Sequence, residues 1–65
     1  MNVRSRRQAV LEDLKETGVV NINELAGRLS VSSMTIRRDL RRLAEQGLVT
    51  LVREGAILNS GAASL

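Results

Sequence analysis

The chain has no cysteine and no histidine, and its aromatic content is 0%. Without cysteine there is no disulfide to staple a small fold and no thiolate to bind a metal. Without histidine the usual zinc ligand and the usual general base are both missing. The one lysine, Lys15, sits among Glu12, Asp13 and Glu16, whereas an activated amine needs an apolar or cationic setting. No pair of residues is suited to catalysis, so an enzyme is not expected, nor a cofactor or metal. The lack of aromatic rings counts against readers of single strands and RNA that stack bases on such rings. No apolar run is long enough to cross a bilayer. The basic N-terminus is not followed by the apolar stretch of a secretory signal, so the expected location is cytoplasmic.

What is present is arginine. With 65 residues the chain is one domain with a small core. The net charge of +3 is modest, but it is unevenly spread. From Glu12 to Glu24 four carboxylates face one lysine, a net of −3; from Arg28 to Arg42 five arginines face one aspartate, a net of +4. Basic charge gathered on one segment is the electrostatic footprint of a nucleic-acid binder. Nine of the ten basic residues are arginine, which suits bidentate contacts to phosphate and guanine.

The organising stretch runs from Ser32 to Gly47. Ser32 is placed to cap a helix, its hydroxyl accepting a backbone N–H of the first turn. Gly47 is placed to end it, because glycine takes the left-handed conformation there without strain. Ile36, Leu40 and Leu43 fall at i, i+4 and i+7 and share one face. At ~100° per residue, Met34, Arg38 and Arg41 point away from that face, with Arg37 and Arg42 on its flanks. A charge run is more often a solvated face than a site; its surroundings decide here.

Earlier in the chain, Met1 to Arg4 reads as a loose arm, and Ser5 with Gln8 matches a capping box. Val10, Leu11 and Leu14 continue as a helical apolar face that Gly18 ends. Val19-Val20 is a candidate for a very short strand. Asn21 and Glu24 form a second capping box, opening a helix with Leu25, Ala26 and Leu29 on its inner side. About three residues then separate it from the Ser32 helix, which forces the sharp angle of a helix-turn-helix. Leu48 to Val52 is apolar and β-branched and reads as a strand. Arg53-Glu54-Gly55 reads as a turn, and Ala56-Ile57-Leu58 as the returning strand. Leu48, Val49, Leu51, Ile57 and Leu58 are expected to pack partly on the helices. The fold expected is mainly α with a small β-hairpin: a winged helix-turn-helix, three helices plus a wing, over residues 1–58. Residues 59–65 read as a tail or linker.

The run from Ile22 to Leu40, and Thr35-Ile36-Arg37-Arg38-Asp39-Leu40 above all, resembles the N-terminal helix-turn-helix of the DeoR family of bacterial transcription regulators. Gly47-Leu48-Val49 and Gly55-Ala56-Ile57-Leu58 resemble its continuation into the wing. The resemblance implies a sequence-specific DNA binder, typically a repressor of a sugar-catabolic operon. It also implies a C-terminal domain, absent here, that senses a phosphorylated sugar and oligomerises; the domain alone is expected to be monomeric and the full regulator a homo-oligomer. Two departures stand out. The family usually has glycine in the turn, where Ser30 stands. Its wing usually reads Arg-Val-His-Gly-Gly-Ala, where Leu51-Val52-Arg53-Glu54-Gly55-Ala56 stands here. With Glu54 near its tip, the wing is expected to add less affinity than the third helix.

Double-stranded DNA is thus the expected partner, with the third helix in the major groove. Ser32, Ser33, Met34, Arg37 and Arg38 are the expected base or groove contacts. Arg38 leads as a bidentate donor to guanine, Arg37 follows, and Met34 meets a thymine methyl. Ser32 has a competing duty as the cap. Thr35, Arg41, Arg42, Arg53 and Arg6 are the expected backbone contacts. Asp39 is expected to pair with a nearby arginine. The alternative is a winged-helix protein–protein interaction module, whose signature is an exposed apolar patch.

Overall fold

A computed structural model describes residues 2–59. The first helix, α1 (Val3–Thr17), starts earlier than the Ser5 cap predicts. Asn2 is the cap instead, its side-chain oxygen accepting the Ser5 N–H at 2.8 Å. Asparagine and serine are caps of similar quality, and the earlier one adds most of a turn. Arg4 therefore lies in helix and not in a loose arm, and Arg6 sits a full turn inside it. Gly18 ends α1 with φ 80° and donates its N–H to Leu14 at 2.7 Å.

Strand β1 (Val19–Asn21) leads directly into α2 (Ile22–Leu29). Asn21 caps α2 by accepting the Glu24 N–H at 3.0 Å. The turn to α3 (Ser33–Glu45) passes through Ser30, which holds the left-handed conformation at φ 56°, ψ 44°. It is the position where the family usually has glycine, and the only non-glycine residue at positive φ among those described. Ser32 caps α3 as expected, accepting the Thr35 N–H at 3.2 Å. At the far end Gly47 takes φ 79°. There Leu48 N–H bonds Leu43 C=O at 3.1 Å and Gly47 N–H bonds Ala44 C=O at 3.0 Å, which satisfies carbonyls the helix leaves open.

Strands β2 (Val49–Val52) and β3 (Gly55–Leu58) form the expected hairpin, but the sheet has three strands in the order β1-β3-β2, all antiparallel. The last strand in the chain is the middle strand. This gives Gly55 a role other than the turn assigned to it. The turn itself is Arg53-Glu54, and Gly55 lies in β3, buried, opposite Asn21. A Cβ on Gly55 would overlap the carbonyl oxygen of Val20, so glycine stands here for close backbone approach. The hairpin turn is tied to the body by a 2.7 Å bond from Ile22 N–H to Glu54 C=O.

The core gathers the inner stripes of the helices onto one face of this sheet. Val10, Leu14, Ile36 and Leu40 are its largest fully enclosed side chains; Val20, Leu25, Ala26, Leu43, Val49 and Ala56 complete most of it. Each such aliphatic side chain contributes roughly 1.5–3 kcal/mol on burial. Leu48 and Leu58 pack partly against it as expected. Leu51 and Ile57 do not, and remain 42% and 45% exposed. Ile57 points to the outer face of the sheet, in register with exposed Val19 and Thr50. Leu51 lies on edge strand β2 opposite Ala56, but is not among the side chains packed on the core. Of the tail expected over residues 59–65, Asn59 is bonded to the body, its backbone N–H to Leu48 C=O at 2.9 Å and its side-chain N–H to Gly47 C=O at 3.1 Å; residues 60–65 lie outside the described residues.

Candidate nucleic-acid interface

Helix α3 is held from behind and presents arginine in front. Ile36, Leu40 and Leu43 are buried, while Met34, Arg37, Arg38, Arg41 and Arg42 are all exposed. Met34, Arg37, Arg38 and Arg41 frame a shallow depression of about 290 Å³. Met34, at 69% exposure, is the lone apolar side chain on that surface. Four side chains expected to face one partner are therefore brought together. Glu45 shares their side of the helix, one turn beyond Arg41, and marks where the positive surface stops. Its spacing of four residues from Arg41 is the sequence signal that places it there.

The hydroxyls at the front of α3 have internal partners. Ser32 Oγ lies 2.9 Å from Thr35 Oγ1 while it also caps the helix. Ser33 Oγ donates to Asn23 Oδ1 of α2 at 3.1 Å. Asn23 carries no local sequence signal for this role, because the link joins residues ten apart across the turn. It ties the front of α3 to the start of α2, beside the crossing where Ala26 is buried.

Arg6 is placed differently from its expected backbone role. Its Nε and one terminal nitrogen donate to the two carboxylate oxygens of Asp39, the latter at 3.2 Å. The side chains of Arg6 and Asp39 are only 12% and 6% exposed. Hydrogen bonding to Asp39, chiefly, raises the Arg6 pKa above its ordinary value; burial opposes this and the attraction between the charges adds to it. Asp39 is the one buried charged residue described, and this pairing lets a carboxylate sit inside an arginine-rich helix. The neighbouring Arg7 has a buried Nε with no hydrogen-bond partner.

The remaining basic residues divide. Arg53 is exposed in the hairpin turn, next to exposed Glu54. Arg28 turns toward α1 and bonds Asp13 at 2.5 and 3.4 Å, so it does not join the α3 surface. That pair borders a groove of about 500 Å³ lined also by Glu16, Glu24 and Glu54. The domain thus carries an acidic groove between α1, α2 and the hairpin turn, and a separate basic face on α3. No helix among the described residues is long and apolar enough to cross a membrane.

Comparison with known proteins agrees with this geometry. The DeoR-like helix-turn-helix domain matches residues 6–62. An uncharacterized HTH-type transcriptional regulator of Escherichia coli K12, YgbI, is 56% identical over 50 residues, which is 77% of this chain and 20% of that protein. The glycerol-3-phosphate regulon repressor of Escherichia coli K12 is 43% identical over 60 residues, 92% of this chain and 24% of that protein. The lactose phosphotransferase system repressor of Lactococcus lactis subsp. lactis is 42% identical over the same length and shares. The chain spans about a fifth to a quarter of the length of these relatives. No solved structure matches it. The match over nearly all of the helix-turn-helix and its hairpin is decisive: the chain belongs to the DeoR-like helix-turn-helix family, the DNA-binding domain of transcriptional regulators.

Proposed function

We propose that this domain binds double-stranded DNA sequence-specifically, with α3 lying in the major groove, as part of a transcriptional repressor of a sugar-catabolic operon. The observation that carries the reading is the exposed set Met34, Arg37, Arg38 and Arg41 on the solvent side of the second helix of a helix-turn-helix. In this geometry the first turns of the second helix reach base edges. Arg38 takes a guanine with two hydrogen bonds, Arg37 supports it, and Met34 meets a thymine methyl. Arg41 and Arg42 lie further along and neutralise phosphates, and exposed Arg53 adds one from the hairpin. Ser32, Ser33 and Thr35 shape the front of the helix through their internal bonds, and their remaining lone pairs and backbone face the groove wall.

The sugar-operon part rests on the resemblance and on two relatives, one named a glycerol-3-phosphate regulon repressor and the other a lactose phosphotransferase system repressor. In the same reading, a further C-terminal domain binds a phosphorylated sugar and joins copies of a cytoplasmic homo-oligomer. Two domains related by a two-fold axis then meet two half-sites. A protein-docking role for α3 would call for an apolar patch, and Met34 stands there among arginines.

The test is an amide chemical-shift titration with a short mixed-sequence duplex at low salt. Shifts concentrated in Ser32 to Arg42, with smaller ones near Arg53, are expected. Shifts confined to the acidic groove, or none, would remove α3 as the reader.

A further inference from the structure

Helix α3 is tethered on both flanks, to two different helices. Ser33 bonds Asn23 of α2, and Asp39 pairs with Arg6 of α1. Six residues at ~100° each put these anchors about 120° apart around the axis. Ile36, fully buried, sits midway between them. Met34, Arg38 and Arg41 lie opposite. The two tethers therefore set the roll of the helix about its axis, and the roll decides which way the arginines point. With a side-chain radius of about 5–6 Å, a roll of about 30° displaces a guanidinium by about 3 Å, the length of a hydrogen bond.

We propose that Arg6 is a positioning residue for the reading helix and not a phosphate ligand: it fixes the roll of α3 through Asp39. The proposal rests on the DNA-binding reading given above. Both Asp39 oxygens take a bond from Arg6, and the pair is mostly enclosed. A fork-shaped donor on a planar carboxylate fixes orientation as well as distance. An arginine turned inward to this degree has little left for a phosphate. Replacing one partner would leave the other charge buried and unpaired, whereas replacing both with apolar groups of similar size is tolerated by folded domains.

The decisive variant is the double substitution Arg6→Met with Asp39→Leu. It removes one charge of each sign, so the net charge of +3 is unchanged and long-range attraction to DNA is preserved. Duplex affinity is measured by fluorescence anisotropy from 50 to 300 mM salt, with the folded fraction followed by circular dichroism. Arg6→Met alone is expected to weaken binding tenfold or more per folded molecule. The double variant is expected to fold, to stay at least about fivefold weaker than the parent because the fork is gone, and to keep the parent's salt slope; a return to the parent's affinity overturns the proposal. If Arg6 holds a phosphate instead, the slope of the double variant falls by about 0.9; that result overturns the proposal too. Arg6→Lys gives a second test should the double variant fail to fold. A phosphate ligand tolerates lysine, while a forked tether does not, so unchanged affinity in Arg6→Lys also refutes it. Failure of the DNA reading is recognised separately, because the parent domain would then show no salt-dependent duplex binding at all. In that event α3 amide exchange still reports on the tether: no acceleration in Arg6→Met denies it.

Discussion

Ser30 offers a clean measurement of backbone strain. It is exposed and holds φ 56°, ψ 44° at the end of α2. A left-handed conformation costs an L-residue roughly 1–2 kcal/mol, and glycine escapes that cost. Ser30→Gly releases it but also loosens the unfolded chain, a loss of about 0.4–1 kcal/mol. The net expectation is a gain of about 0.5–1 kcal/mol. For a domain of this size each kcal/mol moves the melting temperature by about 4–8 °C, so Ser30→Gly should melt about 2–8 °C higher. The mirror experiment is Gly47→Ala. Gly47 has φ 79° and nothing within 4 Å of an added Cβ, so its cost is backbone alone and of similar size with opposite sign. Far-UV circular dichroism is the assay, since the chain has no aromatic residue to report by fluorescence. Duplex affinity per folded molecule should not change in either variant. If Gly47→Ala melts lower but Ser30→Gly does not melt higher, Ser30 makes a compensating contact and the strain argument fails.

Other substitutions separate base reading from charge. Arg38→Ala should cost ~1–3 kcal/mol and relax preference at one base pair, whereas Arg42→Ala should weaken all duplexes alike and flatten the salt dependence by about one unit; competition with single-base variants of a selected site resolves the two. Gly55→Ala should cost about 3 kcal/mol or more, because the obstacle is the Val20 backbone and not a side chain that can move; urea titration of helical signal checks it. Leu40→Ala, at a fully enclosed position, should cost about 2–5 kcal/mol. That approaches the whole stability of a domain this small, so thermal scans should show it largely unfolded. The pH dependence should be flat between pH 6 and 9. With its folded pKa raised above the ordinary guanidinium value, Arg6 contributes its stabilisation in full throughout this window and loses it only at far higher pH, and the chain has no histidine to titrate in between. Anisotropy at constant ionic strength measures this, and a tenfold change across the window would contradict it.

The parts of the fold visible in the sequence were those written in short range. Asn21, Ser32, Gly18 and Gly47 each act within a few residues, and each marks the helix end expected of it. The stripe of Ile36, Leu40 and Leu43 on α3 has the same local character. What escaped depends on residues far apart. Asn2 and Ser5 offer caps of similar strength, and local rules do not choose between them. That β1 would join β3, and that Gly55 would pass against Val20, follows from packing between segments more than thirty residues apart. The need for a cation beside Asp39 was legible, because it flanks an apolar stripe. Which of nine arginines would answer was not, and the choice of Arg6 required the path of α1. The same holds for Ser33, whose partner Asn23 looked like any other polar residue near a helix start.

The middle strand of the sheet is the last to leave the ribosome. β3 (Gly55–Leu58) bonds to both β1 and β2 and carries Ala56 into the core. Until those residues emerge, β1 has no partner, the helices have no sheet to close against, and a hairpin is not stable alone. The sheet face on which the helices rest is therefore completed only by β3, the strand furthest along the chain among the described residues.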